Sequence, residues 1–141
     1  MGGVSIDLRD DAPIGREDLL DLYGSVGWTA YTRDPDRLVR ALAGSRCWVS
    51  AHDGDVLVGL ARAVGDGETI GYVQDVLVRP DRQHAGIGRA LLTRLLDRLT
   101  VRQVVLLTED EPHVHAFYRA CGLERADEVE GGPLPAFVRL G

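Results

Sequence analysis

Gln83-His84-Ala85-Gly86-Ile87-Gly88-Arg89 places two glycines where a polar run turns into the leucine-rich stretch that ends near Leu99. The first turn of any helix leaves backbone N–H groups without intrahelical partners, and the helix dipole adds positive potential there. Glycine at such a position removes the side chain that would hold an anion away. Arg82 and Arg89 stand close enough in sequence to add charge toward the same ligand. The chemistry suggested is phosphate binding, and a turn that needs glycine only for its own shape stays open from these residues alone. Two familiar phosphate loops are excluded. A dinucleotide fingerprint requires glycine at Ala85 or Leu91, and a Walker loop requires a following Gly-Lys-Ser/Thr, which is missing.

The elements that must position this turn follow from periodicity. Val4, Ile6 and Leu8 alternate with polar residues and predict a first strand. Arg16 to Val26 begins with acidic residues and carries Leu19, Leu22, Tyr23 and Val26 at helical spacing. Asp34-Pro35 predicts the start of a second helix, with Leu38, Val39 and Leu42 as its buried stripe. Two strands are expected around Asp53-Gly54, where both turn positions favour positive φ. A third strand follows the Asp66-Gly67 turn and is stopped by Pro80. The glycine-led helix comes next, then "QVVLLT" as a buried apolar strand, "HVHAFYRACG" as a helix ended by Gly122, and "FVRL" as a closing strand after the loop Glu128–Phe137.

An antiparallel meander followed by strand–helix–strand predicts an α+β fold: a mixed, mostly antiparallel central sheet with one parallel unit and helices on both faces. At 141 residues one domain spanning 1–141 is expected. The net charge of −6 argues against a nucleic-acid surface, although many arginines gather between Arg79 and Arg102. No stretch is apolar enough for a membrane span, the first residues lack a signal pattern, and the expected compartment is the cytoplasm. Cys47 and Cys121 have no metal-like spacing, so no metal is expected and both are read as packing thiols. A homodimer stays open.

"VQDVLVRPDRQHAGIGRALL" resembles the acetyl-CoA-binding motif of the GNAT family of N-acetyltransferases, Gln/Arg-x-x-Gly-x-Gly/Ala. "HAFYRACGLE" resembles the same family's later tyrosine-bearing helix, and the order of elements matches along nearly the whole chain. The resemblance implies acetyl-CoA as co-substrate, with its pyrophosphate cradled by the backbone following Gln83: His84, Ala85, Gly86, Ile87, Gly88 and Arg89. It implies that the strand edge at Val76, Leu77 and Val78 pairs with the pantetheine arm as an added strand would. It makes Tyr118 the proton donor at the thioester sulfur. The implied reaction is direct: a neutral amine attacks the acetyl carbonyl, a tetrahedral oxyanion forms, and CoA leaves as a thiolate whose thiol has a pKa of about 8.5. Neither cysteine is then needed as a nucleophile.

The resemblance does not name the general base. Asp75 and Glu109 are the candidate carboxylates, and for each a solvated or salt-bridged role is the favoured reading over catalysis. Some family members carry a glutamate where Thr108 stands and an asparagine where Glu111 stands. His113 and His115, two apart on a helix, point in different directions and form no metal pair. Trp28 and Tyr31 lie where the family builds its acceptor wall, and with Asp75 they are the candidate acceptor contacts, while aromatic packing between helices is the alternative. The expected function is transfer of acetyl to a primary amine of a small molecule or protein. A CoA-binding sensor without turnover and a transferase of longer acyl groups are the alternatives.

Overall fold

A computed structural model of the chain describes residues 5–141. These form two compact units, the first reaching Leu107 and the second Thr108–Gly141. In the first unit β1 (Asp7–Asp10) is followed by α1 (Arg16–Ser25), the single-turn α2 (Thr29–Thr32) and α3 (Pro35–Ala43). Then come β2 (Cys47–Asp53), β3 (Val56–Gly65), β4 (Ile70–Val78), α4 (Ile87–Arg98) and β5 (Gln103–Val105). The second unit holds α5 (Pro112–Ala120) and a short 3-10 turn at Ala126–Glu128. Among the described residues no helix is long and apolar enough to cross a membrane.

The five strands lie in sequence order in one sheet. The β1–β2, β2–β3 and β3–β4 pairs are antiparallel and β4–β5 is parallel, with α4 as the crossover. The architecture expected from the meander and the strand–helix–strand unit is therefore the one found. On one side of the sheet Leu19, Leu22 and Tyr23 of α1 and Leu38 and Leu42 of α3 form a buried cluster with Leu57, Leu60 and Leu77. On the other side Leu91 and Ile87 of α4 approach the backbone of Gly59 in β3, where a Cβ would fall 2.8 Å from Leu91 Cδ1. Ion pairs from Arg94 to Asp10 and from Arg98 to Asp11 tie α4 to the end of β1 and the residue that follows it.

Several local expectations change. The first strand spans Asp7–Asp10, and its expected start at Val4 lies outside the described residues. The first hairpin turns on Gly54-Asp55, closed by the pair Asp53↔Val56. Only Gly54 has positive φ there (+59°), as a II′ turn requires, so Asp53 ends the strand instead. In α3 the Asp34 carboxylate accepts from the Arg37 N–H at 3.3 Å and Pro35 opens the helix, as the sequence suggests. Val39, however, is exposed, because it lies about 100° around the helix from Leu38 and about 60° from Leu42, to one side of their stripe.

The strand expected from "QVVLLT" is only three residues long and half-buried, because it pairs with β4 alone at the end of the strand order. Leu107, beyond it, is half exposed. No closing strand forms at "FVRL": Phe137 and Leu140 are about nine-tenths exposed. The preceding Gly-Gly-Pro-Leu-Pro stretch explains part of this, since Pro133 and Pro135 remove two ladder donors from the approach.

Candidate active site

The site is built at the C-terminal end of β4. Strand β4 pairs with β5 at Ile70↔Gln103, Gly71↔Val104 and Tyr72↔Val105, and there the parallel ladder stops. β4 itself runs on to Val78, so residues 73–78 follow on past the last β5 partner. Within that stretch the β3–β4 register shifts: Asp75 opposes Arg62 and Val73 opposes Ala63, which leaves Gln74 as the extra residue of a bulge. A bulge bends its strand and raises its local twist. The bend therefore falls just beyond the last β4–β5 pair, and Val76, Leu77 and Val78 lie on the edge of β4 that β5 does not reach. Leu77 points into the α1 cluster, while Val76 is half-buried.

The glycine turn follows at once. Pro80–Arg82 form one 3-10 turn, and the Gln83 side-chain amide donates to the Val78 carbonyl at 3.1 Å, fastening the turn to the end of the open edge. His84 has φ +66° and Gly86 φ +80°, two left-handed residues in three. For Gly86, the N-cap of α4, glycine is the natural solution to that backbone. His84 takes the same region at some cost in strain, of the kind that gathers at ligand sites. His84, Ala85 and Gly86 are exposed, and buried Ile87 anchors the helix beneath them.

Gly88 is different. It lies inside α4 and is not among the glycines with positive φ. Its backbone therefore makes no demand for glycine, and a helical glycine costs about 1 kcal/mol relative to alanine. The first backbone bond of this helix end is Ala90 N–H to Gly86 C=O at 3.1 Å, so Gly88 belongs to the open first turn. A bare backbone at that point is what close approach of an anion would use. Arg89 is exposed in the same turn. The Arg82 guanidinium sits 2.6 Å from the Asp53 carboxylate.

Asp75 is a buried structural carboxylate. It is 3% exposed and accepts from Tyr23 Oη at 2.8 Å, Tyr31 Oη at 2.8 Å and Arg62 Nε at 2.6 Å. Arg62 also donates to Ser45 Oγ at 3.3 Å and to Tyr31 Oη at 3.4 Å. The Gln74 amide reaches the same Tyr31 oxygen at 3.0 Å. Burial first, then the neighbouring Asp75 charge, holds the Tyr23 phenol protonated far above its usual range, so it remains a donor. Tyr31 is also pushed up by burial, against the hydrogen bond from Gln74. Trp28 and Tyr31 pack with Tyr23 as an aromatic group, with ring centres 4.9–6.2 Å apart. The candidate acceptor residues are thus together, but with most of Asp75's capacity already engaged.

Arg62 has no place in the sequence reading, although a signal for it exists. It is the lone charge inside the apolar run "VLVGLARAV", and Asp75 is the lone charge inside "YVQDVLV". Two opposite lone charges on neighbouring strands of a meander are candidates for a buried pair.

In the second unit, burial raises the Tyr118 phenol above its ordinary value, outweighing a hydrogen bond from Thr108 that pulls the other way. His115 is largely covered with Nε2 3.2 Å from Asp110, and His113 is exposed, so the two diverge as their spacing predicts. Glu109 and Glu111 are exposed. Cys47 is buried in β2, where desolvation pushes its thiol up and away from the thiolate form.

Comparison with known proteins agrees with this geometry. Residues 16–123 match the model of the acetyltransferase (GNAT) family. A GNAT-family acetyltransferase from Streptococcus pneumoniae TIGR4 superposes with a TM-score of 0.81 at 34% identity, covering 96% of this chain and 100% of that one. The chloroplastic GCN5-related N-acetyltransferase 1 of Arabidopsis thaliana is 32% identical over 127 residues, and this chain spans 64% of its length. An uncharacterized N-acetyltransferase of Porphyra purpurea is 32% identical over 130 residues, 88% of this chain and 74% of that protein. A match over most of the chain, in sequence and in fold, settles the ancestry: the chain belongs to the acetyltransferase (GNAT) family.

Proposed function

We propose that this protein transfers acetyl from acetyl-CoA directly to a primary amine of a small molecule or a protein. The observation that carries this reading is Gly88, a glycine that its own backbone does not require, in the open first turn of a helix that follows an unpaired strand edge. The pyrophosphate of acetyl-CoA would lie on the backbone from His84 to Arg89, and its amide-rich arm along Val76–Val78. The bound thioester would supply an activated acetyl group, and the chain would supply orientation and a hydrogen-bond donor to the sulfur that takes up charge. The role of proton donor falls to Tyr118 by its match to the family motif, and its raised pKa keeps the phenol protonated at neutral pH.

The test is a panel of primary amines, from small polyamines and arylalkylamines to peptide N-termini and lysines, mixed with acetyl-CoA while free thiol is followed. Thiol release that depends on one amine class supports the reading and names the acceptor. Acetyl-CoA binding without release for any amine would favour a CoA-sensing module instead.

A direct mechanism makes both cysteines dispensable. The double replacement Cys47→Ala with Cys121→Ser is expected to leave kcat within a few-fold, with a modest loss of Tm from the buried site at Cys47. Turnover that disappears in a folded double variant with normal acetyl-CoA affinity would indicate a covalent acyl-enzyme.

A further inference from the structure

We propose that the buried Arg62–Asp75 ion pair, with Tyr23, Tyr31 and Gln74, is a clamp that sets the bend of β4 and so positions the strand edge for the acyl-CoA arm. The proposal rests on the acetyl-CoA reading of that edge. Its members are positioning residues, and none needs to touch the reacting atoms.

Place comes first. Arg62 and Asp75 are directly opposed across β3–β4 at the step where the register shifts, so the pair brackets the bulge itself. Gln74 is the extra residue, and its side chain bonds the Tyr31 hydroxyl that also bonds Asp75 and Arg62. Tyr23 reaches the same carboxylate from α1, and Tyr31 reaches it from α2. Groups from α1, α2, β3 and β4 therefore converge on a single bulge. It lies two residues beyond the last β4–β5 pair at Tyr72↔Val105.

Energy points the same way. A buried ion pair is seldom more stabilising than well-packed apolar side chains of similar volume, because both charges must lose water. Here the Arg62 and Asp75 side chains are 6% and 3% exposed, in a sheet whose other inward residues are almost all apolar. What the pair adds is direction: a 2.6 Å charge-assisted bond between fixed strands, with two phenols on the same carboxylate, leaves the bulge little freedom. A bulge held only by apolar packing would let β4 lean back toward β5 or slide its register.

The experiment compares wild type with the double variant Arg62→Gln/Asp75→Asn, which removes both charges but keeps donors and acceptors. Three quantities are read: Tm, acetyl-CoA affinity by calorimetry, and hydrogen exchange of the residue 73–78 amides without ligand. The expected result is a folded protein whose exchange rises in 73–78 but not in β2, and whose acetyl-CoA affinity falls about tenfold. Unchanged exchange and affinity in that folded variant would overturn the clamp. Should the double variant fail to fold, Tyr31→Phe removes one leg at the half-buried edge of the group. It is expected to give the same two changes at smaller size with Tm nearly unchanged, and wild-type exchange and affinity would overturn the proposal. A wild type that binds no acetyl-CoA would refute the site reading instead, while exchange in the ligand-free protein would still decide the clamp.

Discussion

Tyr118→Phe is expected to lower kcat by roughly 100-fold, the lower end for loss of a general acid, while the affinity for acetyl-CoA barely moves. The ring and its packing against Phe117 remain, with ring centres 5.1 Å apart in the native protein, and only the hydroxyl is lost. Complete proton transfer from this phenol to a thiolate would be uphill. Burial raises the Tyr118 pKa above its ordinary value, and a thiol's is about 8.5. The useful contribution is therefore a hydrogen bond that strengthens as negative charge builds on sulfur, which is stabilisation made mainly in the transition state. The sign of the pKa shift fixes the pH behaviour: a raised pKa keeps the neutral phenol through neutral and mildly alkaline pH. The deficit of the variant should be the same at pH 7 and pH 9, measured as kcat with the best amine of the panel. An unchanged kcat would remove Tyr118 from the chemistry, and a deficit growing steeply with pH would mark a tyrosinate base.

Gly88→Val is expected to weaken acetyl-CoA binding by at least about 100-fold, the loss of two charge-assisted backbone contacts at the usual strength of such bonds. The choice of position matters. Gly86 has φ +80°, so a valine there is strained whatever it does to a ligand, and a binding defect would be ambiguous. Gly88 sits in ordinary helical backbone, where valine is a better helix former than glycine, so the helix itself is not penalised. Calorimetry with acetyl-CoA beside a thermal melt separates the effects. Normal binding in a folded Gly88→Val protein would move the pyrophosphate site away from this turn. Gly88→Ala is the graded companion, with a smaller loss of affinity and a Tm equal to or above wild type.

Much of this was written locally. The Asp34-Pro35 start, the Leu19–Leu22–Tyr23 stripe and the Pro80 stop each depend on neighbouring residues only, and each appears where the sequence puts it. The glycine turn was legible for the same reason: two glycines before a leucine-rich helix are a statement about backbone. The strand–helix–strand unit follows from handedness, which allows its two strands one sensible relation. Val39, "QVVLLT" and "FVRL" show the limit. Apolar character marks a residue that can be buried, and whether it is depends on a partner surface that the chain brings from elsewhere.

The sequence by itself determined the family, the order of the main elements as far as α5 and the glycine turn before α4, because these rest on short-range pattern and chirality. Only the tertiary structure decided that Asp75 is held by Arg62, Tyr23 and Tyr31, that Gln74 is the extra residue of a bulge, and that Gly86 has positive φ while Gly88 does not. Those facts depend on cross-strand register and on groups 13 to 52 residues apart in the chain. A charge carries no mark of its partner until two strands are laid side by side, and a one-residue shift in their pairing would have given Asp75 a different neighbour.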